Sequence, residues 1–281
     1  MNLFYIIILA IVQGIAELLP VSSSAHVIVA EKLMGLDPTS PQMTLLLVML
    51  HTGTMFAVIV YYWKAWRASY FSSTHQFVQN GKRLFVATAA TGIVGIALLQ
   101  IIKHVVAHNA PDFEIEQLFG NSRLMAVALA AAGVLIILSS RLADVGRDDV
   151  SLSSAWKIGA VQGLCLPFRG FSRSGATIST GLALGVARRR AEEFSFALAV
   201  VLTPVVIAKE GYRLYKVEAA ASAADIGTLW HSFGPGLLGM VLSFLTGLLA
   251  LRWLSQWLEQ GRWHLFGAYC LFASLVVLWV G

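Results

Sequence analysis

The chain has 281 residues, 57% of them hydrophobic and 12% charged, with a mean hydropathy of +0.73. A soluble domain carries about 25% charged residues, so the composition excludes a water-soluble protein and indicates an integral membrane one. The net charge of +5 is modest and sits in the loops, which fits membrane topology rather than nucleic-acid binding.

The apolar runs are each about 17–21 residues long, which predicts helices and excludes the short alternating segments of an outer-membrane barrel. No cleavable leader is expected, because the first run lacks a basic flank and Glu17-Leu18-Leu19-Pro20 is no small-residue cleavage site. Residues 1–19 are apolar but interrupted by Gly14 and Glu17, with Pro20 behind them. Residues 25–34 predict a short second helix. Neither piece crosses the roughly 30 Å hydrocarbon core at about 1.5 Å per residue. Together they predict a re-entrant hairpin, which lipid tolerates only when it is buried in protein or lines a wet cavity. Residues 43–62 form a full span, followed by an aromatic belt of Trp63, Trp66 and Tyr70 with Lys64 and Arg67. Residues 84–102 and 124–140 form two more spans.

The pattern then restarts. Residues 156–166 are a short apolar piece, Ser172-Arg173-Ser174 is a polar break, and residues 175–187 are a second short helix. Spans at 194–208, 236–251 and 263–280 follow. Ile11-Val12-Gln13-Gly14 matches Ala160-Val161-Gln162-Gly163, and Ser22-Ser23-Ser24 matches Ser172-Arg173-Ser174, about 150 residues on. Each half therefore holds one hairpin and three spans. An odd number of spans makes the halves face opposite ways, as an inverted repeat with its site near the midplane. The expected architecture is a single all-α polytopic membrane domain over residues 1–281, with repeats at about 1–140 and 155–281.

Loop charge sets the expected orientation. Residues 63–83 hold Lys64, Arg67, Lys82 and Arg83 and no acid, whereas residues 103–123 hold Asp112, Glu114 and Glu116 against Lys103 and Arg123. The first loop is expected inside and the second outside. Both termini then fall outside, the first hairpin enters from outside, and the second enters from inside.

The chemistry concentrates at the two breaks. Glu17 is read as the only acid in the embedded part of this layout, and an ionisable group at membrane depth costs about 2.5 kcal/mol or more and is functional by default. Gln13 and Glu17 share one helix face. A carboxylate and an amide carbonyl suit a hard cation such as Mg²⁺ or Ca²⁺, with water and substrate phosphate completing its shell. Glu17 serves equally as the base that deprotonates a nucleophile, or as a structural partner for Arg173. Ser22, Ser23 and Ser24 open the second helix, where one serine suffices as an N-cap. His26 beside them is a candidate base, acid or nucleophile.

In the second break, Ser172, Arg173 and Ser174 stand at a helix N-terminus, which is an anion site. Arginine's planar fork matches phosphate oxygens in pairs. Thr177 lies one turn further in, and Arg169 adds a cation or snorkels to the interface. Cys165 and Cys270 lack metal spacing and read as small core residues. The residues alone point to a membrane enzyme or carrier for a lipid phosphate.

At these residues the chain resembles the bacterial undecaprenyl pyrophosphate phosphatases, the bacitracin-resistance family. The family's (Glu/Gln)-x-x-x-Glu and Pro-Val-Ser-Ser-(Thr/Ser)-x-His motifs stand at Gln13–Glu17 and Pro20–His26. Its Pro-Gly-x-Ser-Arg-Ser-x-x-Thr motif runs from Gly170 to Thr177. The stretches Leu50-His51-Thr52-Gly53-Thr54 and Glu192-Glu193-Phe194-Ser195-Phe196 are also similar. The resemblance implies hydrolysis of undecaprenyl diphosphate to undecaprenyl phosphate and phosphate at the periplasmic side of the bacterial inner membrane. That reaction recycles the lipid carrier of peptidoglycan synthesis. The resemblance also implies a divalent cation, Mg²⁺ or Ca²⁺. It makes Glu17, with Gln13, the metal or base position, Ser23 and His26 the nucleophile candidates, and Arg173 the diphosphate holder. Ser22, Ser24, Ser172, Ser174 and Thr177 would line the site. Two positions depart from the pattern: Gln13 is uncharged, and Arg169 replaces the proline before Gly170.

The expected partners are the polyprenyl diphosphate substrate and membrane lipid; homo-oligomerisation is left open. The rival reading is a flippase for undecaprenyl phosphate, since inverted repeats around a midplane site are common in transporters. The Glu17–Ser23–His26 cluster argues for hydrolysis, because transport needs no nucleophile. A lipid phosphatase of the Ser-Arg-x5-His type is excluded by Ser179, which stands where that motif requires histidine.

Overall fold

The computed structural model describes residues 2–37, 40–106, 121–142, 146–220 and 226–280. The acidic trio Asp112, Glu114 and Glu116, on which the expected orientation rests, lies outside the described residues. The first half contains α1 (Leu3–Leu18), α2 (Ser23–Leu33), α3 (Pro41–Ser69), α4 (Thr74–Ile101) and α5 (Ser122–Ser140), with a π turn at Ile102–Val106 ending α4. The second contains α6 (Leu152–Cys165), α7 (Arg173–Ala183), α8 (Arg188–Ala220), α9 (Ile226–Glu259) and α10 (Trp263–Val280). Among the described residues there is no strand, only one isolated bridge between Arg147 and Val186.

Among the described residues, α3, α4, α5, α8, α9 and α10 are long and apolar enough to cross a membrane. Their outward side chains are large and apolar, as at Phe85, Leu249 and Trp279, so the surface is built for lipid. The chain is a multi-pass membrane protein of all-α class.

Several helices are longer than their apolar runs. Ser40 and Ser73 cap α3 and α4, accepting from the backbone N–H of Met43 and Gln76. Those caps start each helix before the first residue that hydropathy marks. The span expected at 194–208 begins at Arg188 for a related reason. Its polar first turns are held by ion pairs from Arg189 and Arg190 to Glu193 at 3.1 and 2.8 Å. Glu192 and Glu193 are thereby buried inside a membrane-crossing helix, and Glu31 is buried in α2. This corrects the reading of Glu17 as the only embedded acid.

The hairpins α1–α2 and α6–α7 pack across the molecule. α1 lies on α9, α6 on α4, α3 on α8, and α5 on α10. Small residues allow the close approaches. A Cβ on Gly14 would meet Thr246 Oγ1 at 1.9 Å, and one on Gly163 would meet the Thr91 carbonyl at 2.8 Å. Threonines stand at both contacts: Thr91 Oγ1 lies 2.9 Å from both Ala87 O and Gly159 O, and Thr246 Oγ1 donates to Leu242 O of its own helix at 2.8 Å with Ala10 O 3.5 Å away. Ala10 and Gly159 are offset by 149 positions, as are Gln13 and Gln162.

Candidate active site

The two chain breaks meet. A cavity of about 310 Å³ opens between them, lined by Glu17, Ser22, Ser23, Ser24, His51, Gln162, Arg169, Ser172, Arg173 and Ser174 among others. α1 stops at Leu18 because Pro20 cannot continue it, and the chain turns through Leu19–Ser22 before α2 begins. The turn places Ser23, the first residue of α2, back against the last turn of α1.

Glu17 is the hub. Its Oε2 accepts from Ser23 Oγ at 2.6 Å and from Gln13 Nε2 at 3.3 Å. Its Oε1 accepts from Arg173 Nη2 at 3.0 Å. His51 Nε2 stands 3.8 Å from Oε2, turned that way because Nδ1 is bonded to Leu47 O at 2.8 Å. Arg173 Nη1 is buried in the described structure without a hydrogen-bond partner, and so is Gln162 Oε1. An orphaned guanidinium N–H beside a polar cavity is a place for an anionic oxygen.

The serines divide by role. Ser172 caps α7, accepting from Gly175 N–H at 3.2 Å. Ser174 Oγ donates to Leu19 O at 3.3 Å and so ties the two breaks together. Ser22 sits at the N-cap of α2 but makes no side-chain cap hydrogen bond, contrary to the expectation that one of the three serines caps the helix. Its backbone has φ 67°, the only positive φ of a non-glycine among the described residues. The first-turn N–H groups of α2 therefore have no side-chain cap in front of them.

Three expected site residues do not line this cavity. Thr177 is buried behind it, bonded to Arg173 O at 2.8 Å and Ser195 Oγ at 2.6 Å, where it fastens α7 to α8. Gln13 stands behind Glu17. His26 points away from the cavity: Nδ1 bonds Ser22 O at 2.8 Å, and Nε2 meets the Tyr269 hydroxyl at 2.7 Å. Among the polar lining residues, His51, Gln162 and Thr203 were absent from the sequence-derived site. His51 is an ionisable group in a predicted span, and Gln162 is the repeat partner of Gln13; either fact singles its residue out.

The far wall is apolar, with Leu166, Phe168, Phe171, Ala199, Leu202 and Val206. Val206 is also 48% exposed on the outer face of α8, so the polar pocket continues into a surface that suits a lipid tail.

The family profile described as Bacitracin resistance protein BacA matches residues 6–276. The chain is 63% identical over 278 residues to Undecaprenyl-diphosphatase 2 of Acinetobacter baylyi, covering 99% of this chain and 98% of that protein. It is 32% identical over 301 residues to Undecaprenyl-diphosphatase 2 of Burkholderia thailandensis, covering 99% and 96%. It is 32% identical over 287 residues to Undecaprenyl-diphosphatase of Bdellovibrio bacteriovorus, covering 99% and 95%. With its two motif-bearing breaks joined at Glu17 and a match that runs nearly end to end, the chain belongs to the bacitracin resistance protein BacA family.

Proposed function

We propose that the protein is an undecaprenyl-diphosphatase, hydrolysing undecaprenyl diphosphate to undecaprenyl phosphate and inorganic phosphate. The observation that carries the reading is Glu17 bridging Ser23 at 2.6 Å and Arg173 at 3.0 Å on the wall of a cavity that is polar on one side and apolar on the other. A hydroxyl, a base and an anion-holding arginine at one point are what phosphoryl transfer requires, since that reaction depends mainly on positioning and charge neutralisation. The apolar wall accounts for a lipid-linked substrate.

In this reading Ser23 is the nucleophile. Its Oγ forms a bond to the terminal phosphorus as the bond from that phosphorus to the bridging oxygen breaks, and undecaprenyl phosphate leaves. Glu17 takes the Ser23 proton and passes it to the departing lipid phosphate. Water then attacks the phosphoserine; Glu17 accepts a proton from that water and returns it to Ser23 Oγ as phosphate leaves. Arg173 Nη1 and the N-termini of α2 and α7 hold the phosphoryl oxygens. In this reading His26, with both ring nitrogens engaged outside the cavity, supports the loop while Ser23 carries the chemistry.

The site suits a divalent cation of the kind that substrate itself delivers. Among the described residues that line the cavity Glu17 is the one carboxylate, while Gln13 stands behind it with its amide N–H on Oε2, and Mg²⁺ is commonly held by one or two carboxylates, water and substrate phosphates. Among the described residues there is no group of three His, Cys, Asp or Glu side chains that would hold the ion unaided. The cation, Mg²⁺ or Ca²⁺, would supply neutralisation of the diphosphate charge. The same reading places the protein in the bacterial inner membrane as an inverted repeat, with its site reached from the periplasm. The reciprocal packing of α1 on α9 and α6 on α4 supports the repeat.

The test is phosphate release from undecaprenyl diphosphate by purified protein in detergent, with Mg²⁺, with Ca²⁺ and with chelator. Cation-dependent release by the wild type, lost in Glu17→Ala and Arg173→Ala, is expected. No release under any condition from folded protein would overturn the reading.

A further inference from the structure

We propose that Tyr269 is a positioning residue for this reaction: through His26 it fixes the Ser22 backbone and so aims Ser23 at Glu17. The inference rests on the reading of Ser23 as nucleophile.

Ser22, immediately before Ser23, is the strained point of the site. A non-glycine residue at φ 67°, ψ 94° costs about 1–3 kcal/mol and persists only where its surroundings hold it. Its own side chain does not hold it, because it makes no cap hydrogen bond. The Ser22 carbonyl is instead gripped twice by one residue, receiving the His26 backbone N–H at 3.4 Å and His26 Nδ1 at 2.8 Å.

For Nδ1 to donate to a carbonyl it must carry the proton, and in a neutral imidazole Nε2 is then the acceptor. The Tyr269 hydroxyl stands 2.7 Å from Nε2 and supplies that donor. The two rings also stack, with centroids 5.6 Å apart and planes 13° from parallel. Tyr269 thus selects both the tautomer and the ring orientation that hold Ser22.

The same helix turn of α10 holds the loop a second time. Cys270, the next residue, donates from Sγ to Pro20 O at 3.3 Å. Adjacent residues of α10 therefore fix both ends of the Pro20–Ser22 turn, while Ser174 holds Leu19 O from the other hairpin. Tyr269 lies 243 positions from His26 in the chain, and no residue of α10 is among those that line the cavity. It acts through the loop.

A nucleophile misplaced by about 1 Å loses on the order of 100-fold in rate. The experiment measures kcat and KM for phosphate release by wild type, Tyr269→Phe, His26→Asn and His26→Ala, with thermal unfolding of each. Phenylalanine keeps the stacked ring and removes only the hydroxyl. Asparagine places an amide nitrogen near the position of Nδ1, keeps the donor to Ser22 O and discards imidazole chemistry. Expected are a fall in kcat of about tenfold or more for Tyr269→Phe with KM within about twofold, and a kcat for His26→Asn at least about tenfold above His26→Ala.

Tyr269→Phe with wild-type kcat would overturn the proposal. So would His26→Asn as inactive as His26→Ala while both remain folded, because that result assigns the imidazole itself to the chemistry. A wild type that releases no phosphate fails the phosphatase reading and the proposal with it, whereas either result on the variants of an active wild type fails the proposal alone.

Discussion

Glu17 and Arg173 stand 156 positions apart in the chain and meet at 3.0 Å. Each comes from the break in its own half, so this one pair closes the site across the molecule. Both side chains are largely buried, 18% and 24% exposed, and an ion pair so placed is costly to break from one side only. Arg173→Ala leaves the Glu17 carboxylate without its cation, and Glu17→Ala takes the acceptor from Nη2 of a guanidinium whose Nη1 already has none. Each single substitution is expected to lower stability by about 1–3 kcal/mol and to reduce phosphate release by at least about 1000-fold. The double variant is expected to recover part of the stability and none of the activity. Thermal unfolding and turnover of the four proteins form the cycle; additive losses of stability would contradict the pairing.

The hairpins are seated by close backbone approach. Gly14→Ala would place a Cβ 1.9 Å from Thr246 Oγ1 and 2.8 Å from Ser243 O. The threonine hydroxyl can be removed, but the carbonyl cannot. Overpacking of this kind costs about 1–3 kcal/mol, and it tilts α1, on which Glu17 rides. We expect Gly14→Ala to lower the unfolding temperature and the activity together, and Thr246→Ala added to it to restore only part of each. Full restoration would mean that the carbonyl contact yields freely.

Glu192 is 2% exposed, and its Oε1 accepts from both Tyr62 OH and Ser255 Oγ at 2.6 Å. These bonds join α3, α8 and α9, and none of the three residues lines the active-site cavity. Glu192→Ala strands the buried Tyr62 hydroxyl, at about 1–3 kcal/mol, and leaves the half-buried Ser255 hydroxyl to water. Glu192→Gln keeps an acceptor oxygen and is expected to cost less. Both should retain KM for the lipid diphosphate at temperatures where they stay folded, and a KM raised tenfold in folded Glu192→Gln would tie this cluster to substrate binding.

The spans and both breaks were legible in the sequence because lipid imposes an apolar composition on whatever faces it. Glu17, the serine run and Arg173 stand out as costs that such a segment carries only for a reason. The ends of α4 and α8 were not legible, since polar first turns capped by Ser73 or paired through Arg189 and Arg190 continue a helix without hydropathy. The direction of His26 was hidden for a different cause. Its neighbours in sequence are the serines, but its partner in space is Tyr269, and a helix apolar all round does not reveal which residue turns inward. His51 was passed over because it lies within an otherwise uninterrupted span. Its facing of Glu17 at 3.8 Å depends on how α3 packs against α1.

The account turns on Ser23 taking the phosphoryl group with Glu17 as its base. The direct measurement is a rapid quench of wild-type protein mixed with undecaprenyl diphosphate labelled in its terminal phosphate, run beside Ser23→Ala. The account predicts an acid-stable label on the peptide that contains Ser23, absent from the variant, with turnover of Ser23→Ala reduced at least about 1000-fold. An acid-labile label on His26, or a Ser23→Ala protein that turns over within tenfold of wild type, would contradict it.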